Sequence, residues 1–167
     1  NVTASVTEHV LVMTRWMAAD MYYRDIEALR AELSMSECSE ELRAAVGDST
    51  EPYRTLLKQV TARLATIREW AEAKLSGDDE KDVPIYLETA QLLAPLELCH
   101  RSLVACGMES IADGELLDII RRLNCFGIAL VRLDIRQESH RHAEAIDAIT
   151  RQLELGSYLE WDENSKQ

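Results

Sequence analysis

Cys125-Phe-Gly-Ile-Ala-Leu-Val-Arg-Leu-Asp-Ile-Arg-Gln-Glu-Ser139 is the stretch on which the reading of this chain turns. Elsewhere apolar residues recur at helical spacing. Here that period stops, and β-branched and charged residues alternate. Side chains on a strand alternate between faces, so a strand over about 128–135 sets Arg132, Asp134 and Arg136 on one face behind Leu130. Ala129, Val131, Leu133 and Ile135 line the other. Two guanidiniums around one carboxylate make a poor ordinary strand face and a good place to hold an anion. A lone strand cannot satisfy its own backbone groups, so its partners are expected outside these residues.

The flanks read as helix. Thr3 is a cap for a helix over residues 3 to 34, with Val6, Val10, Met13, Met17, Met21, Ile26, Leu29 and Leu33 as its inner stripe. Ser39 starts a short helix that stops at Gly47. Pro52 opens a third, whose stripe is Leu56, Leu57, Val60, Leu64, Ile67, Trp70 and Leu75. Gly77-Asp-Asp-Glu-Lys-Asp82 is a polar loop. A fourth helix from Ile85 or Thr89 to Cys106 contains Pro95, which is expected to kink or split it. Asp113-Gly114 turns the chain into a helix over about 115 to 124. Ser139 is the expected cap of a last helix, with Ala143, Ile146, Ile149 and Leu153 facing inward. The fold class is therefore mainly α with one short strand, in a single segment over 1–167.

Composition excludes some functions. The net charge is −12, which argues against a nucleic-acid surface, since phosphate backbones need clustered Lys and Arg. A small anionic ligand stays open, because a local arginine pair dominates at close range. Cys38, Cys99, Cys106 and Cys125 form no C-x-x-C pair and read as reduced, buried thiols of a cytoplasmic protein. Neither a signal peptide nor a membrane-spanning run is visible. His140 and His142 are two apart, hence on different sides of a helix, and no metal site is expected within the chain. The sequence opens at Asn1 without Met and stops at Gln167 in polar sequence, so an excised internal piece is expected.

Leu130-Val-Arg-Leu-Asp-Ile-Arg-Gln-Glu-Ser139, with Arg141-His142 after it, resembles a signature segment of the phosphoenolpyruvate carboxylase family. Glu32-Leu-Ser-Met35, Glu51-Pro-Tyr-Arg54, Leu96-Glu-Leu-Cys99, Ser102-Leu103, Ala105-Cys-Gly107, Ile111-Ala-Asp-Gly114 and Leu116-Leu-Asp118 match in order. The resemblance implies that the strand belongs to a (β/α)8-type barrel in a longer parent. It implies carboxylation of phosphoenolpyruvate by bicarbonate to oxaloacetate and phosphate, with Mg²⁺ or Mn²⁺ held by ligands outside this chain. It also implies an allosteric, cytoplasmic homotetramer.

On the residues alone, Arg136 reads first as an ion-pair partner of Asp134 or Glu138 at a strand end. The resemblance makes it the catalytic arginine that holds the substrate phosphate. Arg132 and Asp134 read as an ion pair supporting it, with Gln137 and Glu138 as further partners. Arg54 lies in the first turn of a helix, where the dipole favours anions, and the resemblance makes it an activator-site candidate. The family's Thr-Ala-His-Pro-Thr and His-Gly-Arg-Gly-Gly segments are absent, so the fragment alone is expected to be inactive. The rival reading is a non-enzymatic helical scaffold or partner-binding module from a diverged paralogue.

Overall fold

The computed structural model describes residues 3–77, 88–130 and 138–162. These are mainly helical, and among them there is no strand. Of the expected strand over 128–135, residues 128–130 form a turn and bend, and 131–135 lie outside the described residues. The polar loop of 78–82 lies outside them as well. No described helix is long and apolar enough to cross a membrane. The chain divides into two compact units, Asn1–Val131 and Arg132–Gln167.

The first unit is built on two long antiparallel helices, α1 (Ala4–Glu32) and α3 (Pro52–Leu75). Thr3 caps α1 as expected, its hydroxyl accepting from the Val6 N–H at 3.3 Å. At one end Trp16 Nε1 donates to Glu72 Oε1 at 2.9 Å; at the other, Arg54 reaches the last turn of α1. Between them Ala18, Ala19, Tyr22, Ile26 and Leu29 are buried in one core with Leu56, Leu57, Val60, Leu64 and Ile67.

The expected inner face of α1 holds in its C-terminal half, where Ile26, Leu29 and Leu33 are buried and Met21 packs on the core, and fails in its N-terminal half. Val6, Val10, Met13 and Met17 are exposed, while Val12, Ala19, Tyr22, Ile26 and Leu29 are buried. Helix spacing depends on the side chains at the contact, and the two alanines give α3 a closer surface than methionines would. Of the methionine stripe, Met21 packs against the core, whereas Met13 and Met17 are exposed and do not fill it. On α3 the expected stripe is buried from Leu56 to Ile67, with Trp70 and Leu75 partly covered.

Three further helices close this unit: α2 (Glu40–Val46), α4 (Thr89–Ala105) and α6 (Leu117–Phe126). Ser39 caps α2 by accepting from the Leu42 N–H at 3.2 Å. Pro95 does not split α4, which runs unbroken through it. Ahead of the proline, in the first turn, Gln91 Oε1 accepts from the Glu88 N–H at 3.4 Å and secures the helix start. Between α4 and α6 lie the short α5 (Glu109–Ile111) and a π-helical turn, Ala112–Leu116, with non-helical geometry at Gly114. The expected turn at Asp113-Gly114 is thus present: the backbone leaves helical geometry at Gly114, where two helices meet across a kink. A buried hydroxyl chain ties three helices together: Tyr53 Oη lies 2.8 Å from Ser102 Oγ, which accepts from the Ser39 N–H at 2.9 Å. Burial pushes the Tyr53 phenol up to about 12, against the opposing effect of the Ser102 hydrogen bond.

The second unit holds α7 (Ser139–Gln152) and a 3₁₀ turn, Tyr158–Glu160. Ser139 is its first helical residue, not its cap. Glu138 takes the cap position without a capping hydrogen bond from its side chain. The expected inner face is also overturned. Ile146, Ile149 and Leu153 are exposed, and the buried residues are Asp147 and Thr150. The cause is local: the C-terminal turn folds back on the polar side of the helix. Asp147 Oδ1 accepts from Ser157 Oγ at 2.5 Å and from the Leu159 N–H at 3.2 Å, and Asp147 Oδ2 lies 2.8 Å from Arg151 Nε.

The Ser157 hydroxyl, then the Leu159 N–H and Arg151, holds the Asp147 carboxyl below its usual range despite desolvation. A carboxyl depressed in the folded state stabilises above its unfolded value and loses that contribution as pH falls through the folded one. Protection of α7 amides from hydrogen exchange is therefore expected to fall below about pH 4. Asp147→Asn should lower that protection at neutral pH and flatten its acid dependence; an unchanged acid slope would show that another group governs it.

Candidate functional site

Arg132, Asp134, Arg136 and Gln137 lie outside the described residues. What the structure defines are the two ends of the segment that bears them. On the C-terminal side, Glu138 is exposed at the start of α7, with Oε2 3.2 Å from His140 Nδ1.

On the N-terminal side the chain is held firmly. α6 ends at Gly127, whose φ of 63° lies in the left-handed region that glycine tolerates. The Gly127 carbonyl accepts a hydrogen bond from Tyr22 Oη at 2.9 Å, from a residue 105 positions earlier. A Cβ at Gly127 would meet Thr89 Oγ1, at the start of α4, at 2.8 Å. The next residue, Ile128, is buried in a small pocket with Arg15, Ala19, Tyr22, Leu64 and Ile67. Leu130 packs against the same core. Three helices thus fix the chain where it leaves the first unit. Burial raises the Tyr22 phenol above its ordinary value, so it remains a protonated donor at neutral pH. Farther along α6, Arg122 pairs with Asp25 of α1 and lies 3.7 Å from Glu115.

No local pattern marks Tyr22 for this role, because its partner is a backbone carbonyl far along the chain. The available signal is Gly127 itself, a glycine directly after an amphipathic helix and directly before the atypical segment.

Arg54 is placed in the first turn of α3, and its guanidinium is engaged. Nε donates to the Arg30 carbonyl at 2.9 Å, Nη2 to the Ala31 carbonyl at 2.9 Å, and Nη1 to Glu51 Oε1 at 2.5 Å. It closes the C-terminal end of α1, where carbonyls lack helical partners and the dipole favours a cation. Among the described residues the remaining titratable groups form no common centre. His100 Nε2 lies 3.1 Å from Asp113 Oδ1 and links α4 to the π turn. Cys99 is buried and its thiol is pushed up to about 12 by burial. Cys125, expected to be buried, is exposed because it lies on the outer side of α6. Among the described residues no group of three or more His, Cys, Asp and Glu side chains could hold a metal ion. The donor set for a divalent metal is therefore not met by them.

The geometry allows a test of Arg54. Removing the fork in Arg54→Gln should lower stability to urea unfolding by about 1–3 kcal/mol, the range for charge-assisted bonds to carbonyls. Arg54→Lys should recover less than half, since an ammonium cannot span both carbonyls in one plane. Equal stability of the two variants would refute the fork.

A family model described as phosphoenolpyruvate carboxylase matches residues 1–167. The phosphoenolpyruvate carboxylase of Marinobacter nauticus is 57% identical over 167 residues, covering 100% of this chain and 19% of the relative. That of Pseudomonas aeruginosa is 56% identical over 166 residues, covering 99% and 19%. That of Hahella chejuensis is 51% identical over 167 residues, again 19% of the relative. The chain thus spans about a fifth of the length of the curated relatives it matches.

Proposed function

Because this chain belongs to the phosphoenolpyruvate carboxylase family, we propose that residues 1–167 are one internal segment of a carbon–carbon lyase joining bicarbonate to phosphoenolpyruvate. The observation that carries this reading is the match to the family model over residues 1–167. In the proposed reaction the bond between phosphorus and the enol oxygen breaks, and the phosphoryl group passes to a bicarbonate oxygen. Carboxyphosphate and the enolate of pyruvate result. Carboxyphosphate then releases carbon dioxide and phosphate, with the bicarbonate proton leaving on the phosphate. The enolate carbon adds to carbon dioxide and yields oxaloacetate.

Within this segment Arg136 is the residue assigned to the chemistry. A guanidinium forks two N–H groups toward phosphate oxygens, stays charged, and opposes the negative charge that shifts during transfer. Arg132 and Asp134 form the ion pair that holds Arg136 in place, with Gln137 and Glu138 as further partners. This rests on the sequence pattern Leu130–Ser139, with Arg136 at the carboxyl end of the proposed barrel strand over 128–135. Arg54 is the activator-site candidate of the same reading. Its three hydrogen bonds use three of its five N–H groups, so an anionic activator would meet only the remaining edge.

The family implies a divalent metal in the full enzyme. Mg²⁺ or Mn²⁺ is proposed, bound by residues outside this chain. A cytoplasmic homotetramer with allosteric control completes the proposal.

Two measurements test it. In the full-length protein, Arg136→Gln should lower kcat by about 10²- to 10³-fold, the usual loss on removing one preorganised charge-stabilising donor. Its thermal midpoint should stay unchanged; normal turnover at saturating phosphoenolpyruvate would refute the arginine's role. The purified 167-residue chain should form no oxaloacetate. Measurable production would show that the segment carries the whole reaction.

A further inference from the structure

Cys38, Cys99 and Cys106 gather around one pair of buried hydroxyls, where α2, α3 and α4 meet. Tyr53 Oη lies 2.8 Å from Ser102 Oγ, and that oxygen accepts from the Ser39 N–H at 2.9 Å. Cys38 is the residue before Ser39, so its peptide group lies against Ser102. The segment that carries it is held from its other side as well, because Arg43 Nη2 donates to the Ser36 carbonyl at 3.0 Å. Cys106 stands one helical turn after Ser102 on the same face of α4, and its N–H donates to the Ser102 carbonyl at 3.1 Å. Arg101 Nη2, 2.8 Å from Glu41 Oε1, holds α2 beside α4. Cys99 shares this face of α4 but is fully buried, whereas Cys38 and Cys106 are half-buried.

We propose that Cys38 and Cys106 are a thiol-oxidation site: on exposure to hydrogen peroxide they join in a reversible disulfide that ties the segment before α2 to the end of α4. A disulfide needs Cβ atoms about 4 Å apart. Both residues sit where a small adjustment breaks no helix, Cys38 in the irregular segment 33–39 and Cys106 as the residue that closes α4. The Cys38 thiolate attacks one peroxide oxygen and the O–O bond breaks. The departing hydroxide takes the proton that Cys38 released and leaves as water, and Cys38 becomes a sulfenic acid. The Cys106 sulfur then attacks the Cys38 sulfur, the S–O bond breaks, and the hydroxide leaves with the Cys106 proton as a second water. Two thiols are oxidised and one peroxide is reduced. Burial, with the charges of Glu37 and Cys38, raises the Cys106 thiol against a hydrogen bond from Tyr53, so it stays protonated at neutral pH and suits the second step. A dithiol reductant restores both thiols by exchange. The site lies wholly within the first unit and stands apart from the carboxylase reading.

The test is a peptide map of the full-length protein, treated while folded with hydrogen peroxide, alkylated, and digested without reductant. Most molecules should yield a linked peptide that joins Cys38 to Cys106 and is lighter by two hydrogens than its separate parts. Dithiothreitol should split it. In Cys106→Ser the Cys38 sulfenic acid should persist and be trapped by dimedone, whereas in Cys38→Ser no adduct should form on Cys106. Free thiols at both positions after treatment, a linkage made through Cys99 or Cys125 instead, or oxidation that stops at separate sulfinic acids would overturn the proposal. A dimedone adduct on Cys106 in Cys38→Ser would overturn the order of attack. If neither serine variant folds, the wild-type map alone decides. None of these outcomes bears on Arg136, so the two readings fail separately.

Discussion

Everything in the first unit depends on the seam between α1 and α3. A helix of 29 residues spans about 43 Å and gains little from its own backbone in water. It persists because Tyr22, Ile26 and Leu29 lose their water against Leu57, Val60 and Leu64. With that seam in place, α1 becomes a ruler along which other contacts are set. Its last carbonyls meet Arg54, Asp25 meets Arg122 of α6, and Tyr22 meets Gly127. Each partner comes from a different part of the chain, so losing the seam would dissolve all three together.

Polar groups inside this core choose the arrangement more than they hold it together. A neutral hydrogen bond nets about 1 kcal/mol, whereas a fully buried leucine contributes about 1.5–3 kcal/mol. By that comparison Leu57, Leu92, Leu96 and Leu103 supply the cohesion where α2, α3 and α4 meet. The chain from Tyr53 through Ser102 to the Ser39 N–H sets which rotation of the helices is allowed. Any other packing would leave those hydroxyls buried without partners, at about 1–3 kcal/mol each. The same reasoning applies at Gly127, where one phenol and one carbonyl satisfy each other.

Helix starts and stops were legible because they rest on single residues with local physics: Thr3, the pair Ser39 and Gly47, and Pro52. Faces were less legible. On α1 the hydrophobic residues outnumber what one neighbour can cover, and periodicity alone does not say that the alanine side meets α3. On α7 the apolar spacing is real, yet Ile146, Ile149 and Leu153 are exposed, since Asp147 and Thr150 draw the C-terminal turn to the other side. Pro95 was misleading because α4 continues through it although the missing N–H removes one bond of the helix. The candidate site was legible as a pattern of residue types, whereas the contact that holds the end of α6 was not. Tyr22 and Gly127 are joined across 105 residues by a backbone acceptor, and no residue type announces such a bond.

Among the described residues the buried core runs as far as Ile128, with Leu130 packed against it. Gly127 turns the chain out of α6, Ile128 is buried beside Tyr22, and the Tyr22 hydroxyl holds the Gly127 carbonyl.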